Sequence, residues 1–404
     1  MATAAATVTT FLLLVVSVAG AMAATKAPSS FRTVYAFGDS FTDTGNTRST
    51  TGPYSFGYVS SLPYGATFFH RPTNRYSDGR LVVDFLADHL RLPSFLPPYL
   101  PNSSPNSNSS DKSSSSNKSG AVGVNFAVAG ATAIEHDFFV RNNLTVDITP
   151  QSIMTELAWL DKHLAAAEKK KKAGKGAGKK KDLEEEEGIG EALFWVGEIG
   201  ANDYAYSFMA ADTVSPKNIQ AMAVARVASF VEELLKRGAK YIVVQGLPLT
   251  GCLPLAMTLA RQEDRDNISC VASVNQQSYD HNRLLQADLN RLRQKHPGAS
   301  IAYADYYAAH LAVMRSPARH GFTEPFKTCC GTGGGAYNFE IFSTCGSPEV
   351  ATACAQPAKY VNWDGVHMTE AMYKVVAGMF FEDNSGKYCR PAFSSLLTKK
   401  GHGK

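Results

Sequence analysis

The chain runs to 404 residues, with 40 Lys and Arg against 36 Asp and Glu, a formal charge of 40 − 36 = +4, and it is 44% hydrophobic and 19% charged. That apolar content excludes a disordered chain, and so small a charge on so long a chain excludes the concentrated basic face of a nucleic-acid binder. Residues 169–181 hold eight lysines and residues 182–187 five acids, a local +3, so the remainder carries only 32 − 31 = +1.

Residues 1–25 carry no charged side chain and include the apolar run Phe11-Leu-Leu-Leu-Val-Val-Ser-Val18, followed by Ala21-Met22-Ala23. An apolar core of about 8–12 residues falls short of the roughly 20 that span a bilayer, and small-x-small is a secretory cleavage pattern. The expectation is a signal peptide over 1–23, unusual in lacking Lys or Arg ahead of its core, and one catalytic domain over 24–404. That mature chain of 404 − 23 = 381 residues has no membrane span and is expected as a monomer. Its destination is the cell exterior or wall, with the Golgi lumen as the alternative. Five Asn-x-Ser/Thr triplets agree with that route: Asn102, Asn108, Asn117, Asn143 and Asn267 are glycosylation candidates.

The run Thr33-Val-Tyr-Ala-Phe37 reads as a buried strand that opens into Gly38-Asp39-Ser40. Residues 81–90 have helical spacing, 102–119 form a solvated Ser/Asn-rich loop, and 121–127 read as a second strand. A helix over 153–167 leads into a Lys/Glu-rich insertion at 168–187, read as a charged surface extension of that helix. The alternative is that it grips an acidic polysaccharide or anionic surface. Strands follow at 192–196, 241–244 and 300–304, separated by helical stretches at 221–236 and 271–295, and a last helix runs from near His367 to about Phe381. Strands alternating with helices predict a parallel sheet covered on both faces. The seven cysteines all lie beyond residue 251 with no CxxC or HExxH pattern. They are expected to form disulfides with at least one left over, and no metal or cofactor is called for.

Three residues suit nucleophilic catalysis. Ser40 sits just past a strand, where α/β proteins present reactive groups. In Asp364-Gly-Val-His367 the carboxylate can orient one ring nitrogen while the other takes the serine proton. Gly130, through its N–H, and Asn202, through its amide, follow predicted strands and suit a developing oxyanion. Asp43 and Asp203 beside these motifs read as turn and hydrogen-bonding residues. The aromatics between Tyr54 and Tyr76 read as core and loop anchors, with an acyl or sugar subsite as the alternative.

With these residues in view, the sequence resembles the plant GDSL esterase/lipase family of the SGNH-hydrolase superfamily. The matching blocks are Phe37-Gly-Asp-Ser-Phe-Thr-Asp-Thr-Gly-Asn46, Ser77-Asp-Gly-Arg80, Asn125-Phe-Ala-Val-Ala-Gly-Ala-Thr132, Val196-Gly-Glu-Ile-Gly-Ala-Asn-Asp-Tyr204 and Asn362-Trp-Asp-Gly-Val-His-Met-Thr369. The resemblance implies a flavodoxin-like α/β/α sandwich and hydrolysis of carboxylic esters. It also implies Ser40 as nucleophile and oxyanion donor, Gly130 and Asn202 as the other donors, His367 as base and Asp364 as its orienter. The expected partner is an ester substrate, read as an acetylated cell-wall polysaccharide such as xylan or a glycoside. The alternatives are long-chain lipids as substrate, or acyl transfer to an alcohol from the same site.

Overall fold

The computed structural model describes residues 31–50, 54–100, 122–144, 149–176, 187–208 and 214–402. The predicted signal region, the Ser/Asn-rich loop with Asn102, Asn108 and Asn117, and the acidic part of the insertion up to residue 186 lie outside them.

The described strands are β1 (Val34–Phe37), β2 (Gly123–Asn125), β3 (Leu193–Val196), β4 (Tyr241–Gln245), β5 (Ser300–Ala304), β6 (Glu324–Thr328), β7 (Tyr360–Asn362) and β8 (Cys389–Arg390). The helices are α1 (Val82–His89), α2 (His136–Arg141), α3 (Ile153–Gly176), α4 (Ala201–Phe208), α5 (Pro216–Lys236), α6 (Pro254–Leu259), α7 (Ala272–Lys295), α8 (Tyr306–Arg315), α9 (Glu370–Phe381) and α10 (Phe393–His402). The main sheet runs β2-β1-β3-β4-β5-β8, parallel throughout except for the antiparallel edge strand β8.

Successive side chains of a strand point to opposite faces, and the two cores follow that alternation. Val34, Ala36, Leu193, Trp195 and Val243 pack with α1, α8, α9 and α10 on one side. Tyr35, Phe37, Phe194, Val196 and Val244 pack with α3, α5 and α7 on the other. The result is the expected three-layer α/β/α arrangement. Its order reverses between β1 and β3, and the crevice beyond the carboxyl ends of the strands at such a reversal is where ligands bind in open α/β sheets.

Four local expectations are corrected. The second strand shrinks to Gly123–Asn125. Helix α3 continues past residue 167 to Gly176 and takes in Lys169, Lys170, Lys171, Lys172 and Lys175. Helix α9 starts at Glu370 and not near His367, because Thr369 caps it, its hydroxyl accepting the Met372 N–H at 3.2 Å. It is also not the last helix, since α10 follows and buries Phe393 and Leu396 in the core. A second, two-stranded parallel sheet of β6 and β7 lies outside the main one. Among the described residues no helix is long and apolar enough to cross a membrane.

Six cysteines pair as Cys252–Cys270, Cys329–Cys354 and Cys330–Cys345. Cys389 in β8 is the one left free, and it is fully buried.

Candidate active site

The loops after β1, β2 and β3 meet at the reversal of strand order and carry Ser40, Gly130 and Asn202. Ser40 and His367 are 6% and 7% exposed, so the pair is sheltered but open to a ligand. The Ser40 hydroxyl lies 2.7 Å from His367 Nε2. On the far side of the ring, Nδ1 is 2.9 Å from Asp364 Oδ2 and 3.0 Å from Oδ1. Asp364 also accepts the backbone N–H groups of Val366 (2.8 Å) and His367 (2.7 Å) and the Tyr64 hydroxyl (2.8 Å). Burial alone would raise this carboxyl, but the charge on His367, its ring and backbone hydrogen bonds and the Val366 N–H outweigh it and hold Asp364 below the usual carboxylate range. An ionised Asp364 fixes the imidazole orientation and leaves Nε2 facing the serine, which is the geometry a proton relay needs.

Two aromatic residues complete the support of the histidine. The Tyr76 ring lies 4.5 Å from the imidazole, tilted by 38°, and Phe41 lies 5.4 Å away. Tyr64 packs edge-on against Tyr76 and against the buried Trp363. Tyr64 and Tyr76 come from the aromatic segment that reads as general packing in the sequence. The structure turns them into the brace of the Asp364–His367 pair. No local pattern signals this, because Tyr64 and Asp364 are 300 positions apart.

Of the oxyanion donors expected from the sequence, the backbone N–H groups of Ser40 and Gly130 meet no acceptor among the described residues. Gly130 has φ +77°, a region that side-chain-bearing residues rarely adopt. A Cβ there would strike Thr149 Oγ1, Phe56 Cε2 (2.5 Å) and the Tyr206 hydroxyl (2.6 Å). Asn202 is placed between the other two loops, but its amide is engaged: Nδ2 donates to Asp39 Oδ2 at 3.0 Å and to the Ala131 carbonyl at 2.9 Å.

A layer of buried carboxyls ties these loops together. Asp43 accepts the N–H groups of Gly45, Asn46 and Thr47 and the Thr47 hydroxyl, and it reaches across to the Ala129 N–H at 3.0 Å. Asp203 accepts the N–H groups of Ala133 (2.8 Å) and Ile134 (2.9 Å), which joins the Asn202 and Gly130 loops. Glu156 accepts the Gly38 N–H at 2.9 Å. Burial raises Asp43 and Glu156, and it pushes Asp203 up to about 7. Of the remaining sequence candidates, Asn143 and Asn267 are exposed.

Comparison with known proteins shows the family. The model of the GDSL-like lipase/acylhydrolase family matches residues 34–378. A GDSL esterase/lipase of Arabidopsis thaliana is 51% identical over 374 residues, covering 92% of this chain and 90% of its own length. A second from the same plant is 35% identical, covering 90% and 86%. Among solved structures, a mutant acetyl-xylooligosaccharide esterase of Geobacillus aligns at 14% identity and a TM-score of 0.32, covering 70% of this chain and 80% of its own; the likeness is too slight to bear on substrate. The chain belongs to the GDSL-like lipase/acylhydrolase family and is a carboxylic ester hydrolase.

Proposed function

We propose that the protein is a secreted serine esterase that removes short acyl groups, foremost acetyl, from a carbohydrate or glycoside. The observation that carries the mechanism is the continuous contact Ser40 Oγ to His367 Nε2 and His367 Nδ1 to Asp364. Ser40, giving its proton to His367, attacks the ester carbonyl. The oxyanion that forms is met by the unengaged N–H groups of Ser40 and Gly130. Asn202 becomes the third donor by releasing one of its two present acceptors. The alcohol leaves with the proton from His367, and water repeats the cycle to free the acid.

The short-acyl reading is supported by the crowding of Phe56, Thr149 and Tyr206 around Gly130, which favours a small group beside the oxyanion. The secretory reading is supported by three disulfides, a bond type rare in reducing compartments, and it makes the exposed Asn143 and Asn267 the proposed glycan carriers. The deciding experiment measures acid release from acetylated xylan, acetylated glycosides and long-chain esters, beside a Ser40→Ala control. Faster turnover of long-chain esters than of acetates would replace this reading with a lipase. Acyl products on an added acceptor alcohol would replace it with a transferase.

A further inference from the structure

We propose that Glu198 is a positioning residue for this reaction: it carries a proton at neutral pH and donates it to Asp39, and the shared proton keeps Asp39 in place as an acceptor for the Asn202 amide. The proposal rests on the reading of Ser40, Gly130 and Asn202 as the reacting pocket.

Glu198 lies two residues beyond β3, and its side chain is fully buried. Its Oε1 accepts the Ala201 N–H at 3.2 Å, satisfying one of the open donors at the start of α4. Its Oε2 is buried and receives no donor. A buried carboxylate oxygen without a donor is costly, whereas a carboxylic acid needs only an acceptor for its own O–H. The neighbouring carboxyl is Asp39, and the bare Oε2 is satisfied when one of the two groups holds a proton for a hydrogen bond between them. The Asp39 N–H also donates to the Glu198 carbonyl at 3.3 Å, fixing one loop against the other. Asp39 gives its remaining capacity to Phe41 N–H (3.0 Å, Oδ1) and Asn202 Nδ2 (3.0 Å, Oδ2).

The surroundings oppose full ionisation. Asp43, Glu156 and Asp203 are further carboxyls beside the pair, each of which would repel it when ionised, and Tyr206, Tyr306 and Tyr373 are its other titratable neighbours. His367 is the cationic neighbour when protonated. Burial is the largest cause raising both carboxyls, with the neighbouring Asp39 and Asp203 adding to it at Glu198, so the proton belongs to the pair and is held to higher pH than an ordinary carboxyl holds one. When it is lost to solvent base, two carboxylates stand together with no hydrogen between them. They repel, and Asn202 loses its anchor.

The test uses two variants and two readouts. Infrared difference spectra in a Ser40→Ala background, with and without Glu198→Gln, should show a neutral-pH carboxylic-acid C=O band that the second substitution removes. In the active enzyme, kcat on p-nitrophenyl acetate, corrected for buffer hydrolysis, should fall at alkaline pH. Glu198→Gln, whose amide donates to Asp39 at every pH, should lack that fall. Glu198→Ala should lower kcat by roughly ten- to a hundredfold with KM little moved, and Glu198→Gln should recover most of that loss. An unchanged infrared band, or superimposable alkaline limbs in wild type and Glu198→Gln, would overturn the proposal. Retained hydrolysis by Ser40→Ala would overturn the pocket reading instead, and the infrared result, which needs no turnover, still decides the proton.

Discussion

The two halves of the proposed reacting group are held by different chemistry. Ser40, Gly130 and Asn202 hang from the carboxyl ends of β1, β2 and β3, and buried Asp39, Asp43, Asp203 and Glu156 knit their loops through backbone N–H groups. Asp364 and His367 lie outside the main sheet, just after β7. There Cys329 N–H donates to the Asn362 carbonyl at 3.0 Å and Cys330 N–H to the Trp363 carbonyl at 2.7 Å. Those two cysteines are themselves bonded to Cys354 and Cys345. The stapled loop lays the Phe339 ring so closely on Gly365 that a Cβ there would come within 2.6 Å of Cδ2. The Ser40 side is therefore knitted by buried carboxyls, and the Asp364–His367 side is backed by covalent cross-links and aromatic rings. Both sides carry carboxyls that respond to pH, with opposite sign, and only the second responds to reductant as well.

Breaking either side at its centre gives the largest effect. Ser40→Ala or His367→Ala should lower kcat on p-nitrophenyl acetate by about 10⁶-fold, by the measure of other serine triads, with the circular dichroism spectrum unchanged. Asn202→Ala removes the proposed third oxyanion donor and should cost about 10²–10³ in kcat. Full retention of activity would show that its bonds to Asp39 and Ala131 are purely structural. On the other side, a Cys330→Ser/Cys345→Ser double variant should lose roughly 2–4 kcal/mol of stability in denaturant titration, and kcat should fall with it. Asn202→Ala should instead lose activity out of proportion to stability, at about 1 kcal/mol for the donor that Asp39 and Ala131 lose.

Smaller effects sharpen the contrast. Tyr64→Phe deletes one donor to Asp364 and should lower kcat by about tenfold. Asp364 is held low in the folded protein, so the stability it contributes is present above its ordinary pKa and is lost as pH falls through the folded value. Removing the Tyr64 donor moves that loss to higher pH, and the acid limb of kcat/KM should shift upward with it. Asp203 has the opposite sign. Raised from 3.8 to about 7 by burial, it contributes stability fully below 3.8 and loses it as pH rises through 7. The stability gap between wild type and Asp203→Asn should therefore narrow between those values, by up to about 1.4 kcal/mol per pH unit. A constant gap would remove Asp203 from the carboxyls that respond to pH.

The strands of the main sheet are legible in the sequence because each is a short apolar run that ends in turn residues. Glu324–Thr328 has no such signature: its side chains are mostly half-exposed, and it pairs with a strand more than 30 positions away, beside two disulfides. The start of α9 was obscured because Val366 and Met368 extend the apolar spacing backwards past the true cap at Thr369. In α10, Ser394 and Ser395 mask a helix whose order depends on docking Phe393 and Leu396. The candidate triad is legible because Ser40 and Asp364-Gly-Val-His367 are local patterns. What sets it in place is not, since Tyr64, Glu198 and the engagement of Asn202 exist only once distant loops meet.

Cys389 makes the molecule a reporter of its own opening. Its thiol is sealed at the sheet edge, and burial pushes its pKa up to about 12, so in the folded state it is neither accessible nor a thiolate. Because the other six cysteines are cross-linked, an alkylating reagent added without reductant meets one target, and only after β8 has left β5. The labelling rate then measures how often that edge detaches. Comparing it with the rate at which ester hydrolysis is lost separates fraying of the β8–α10 end from collapse of the loops that carry Ser40, Gly130 and Asn202, with no engineered probe.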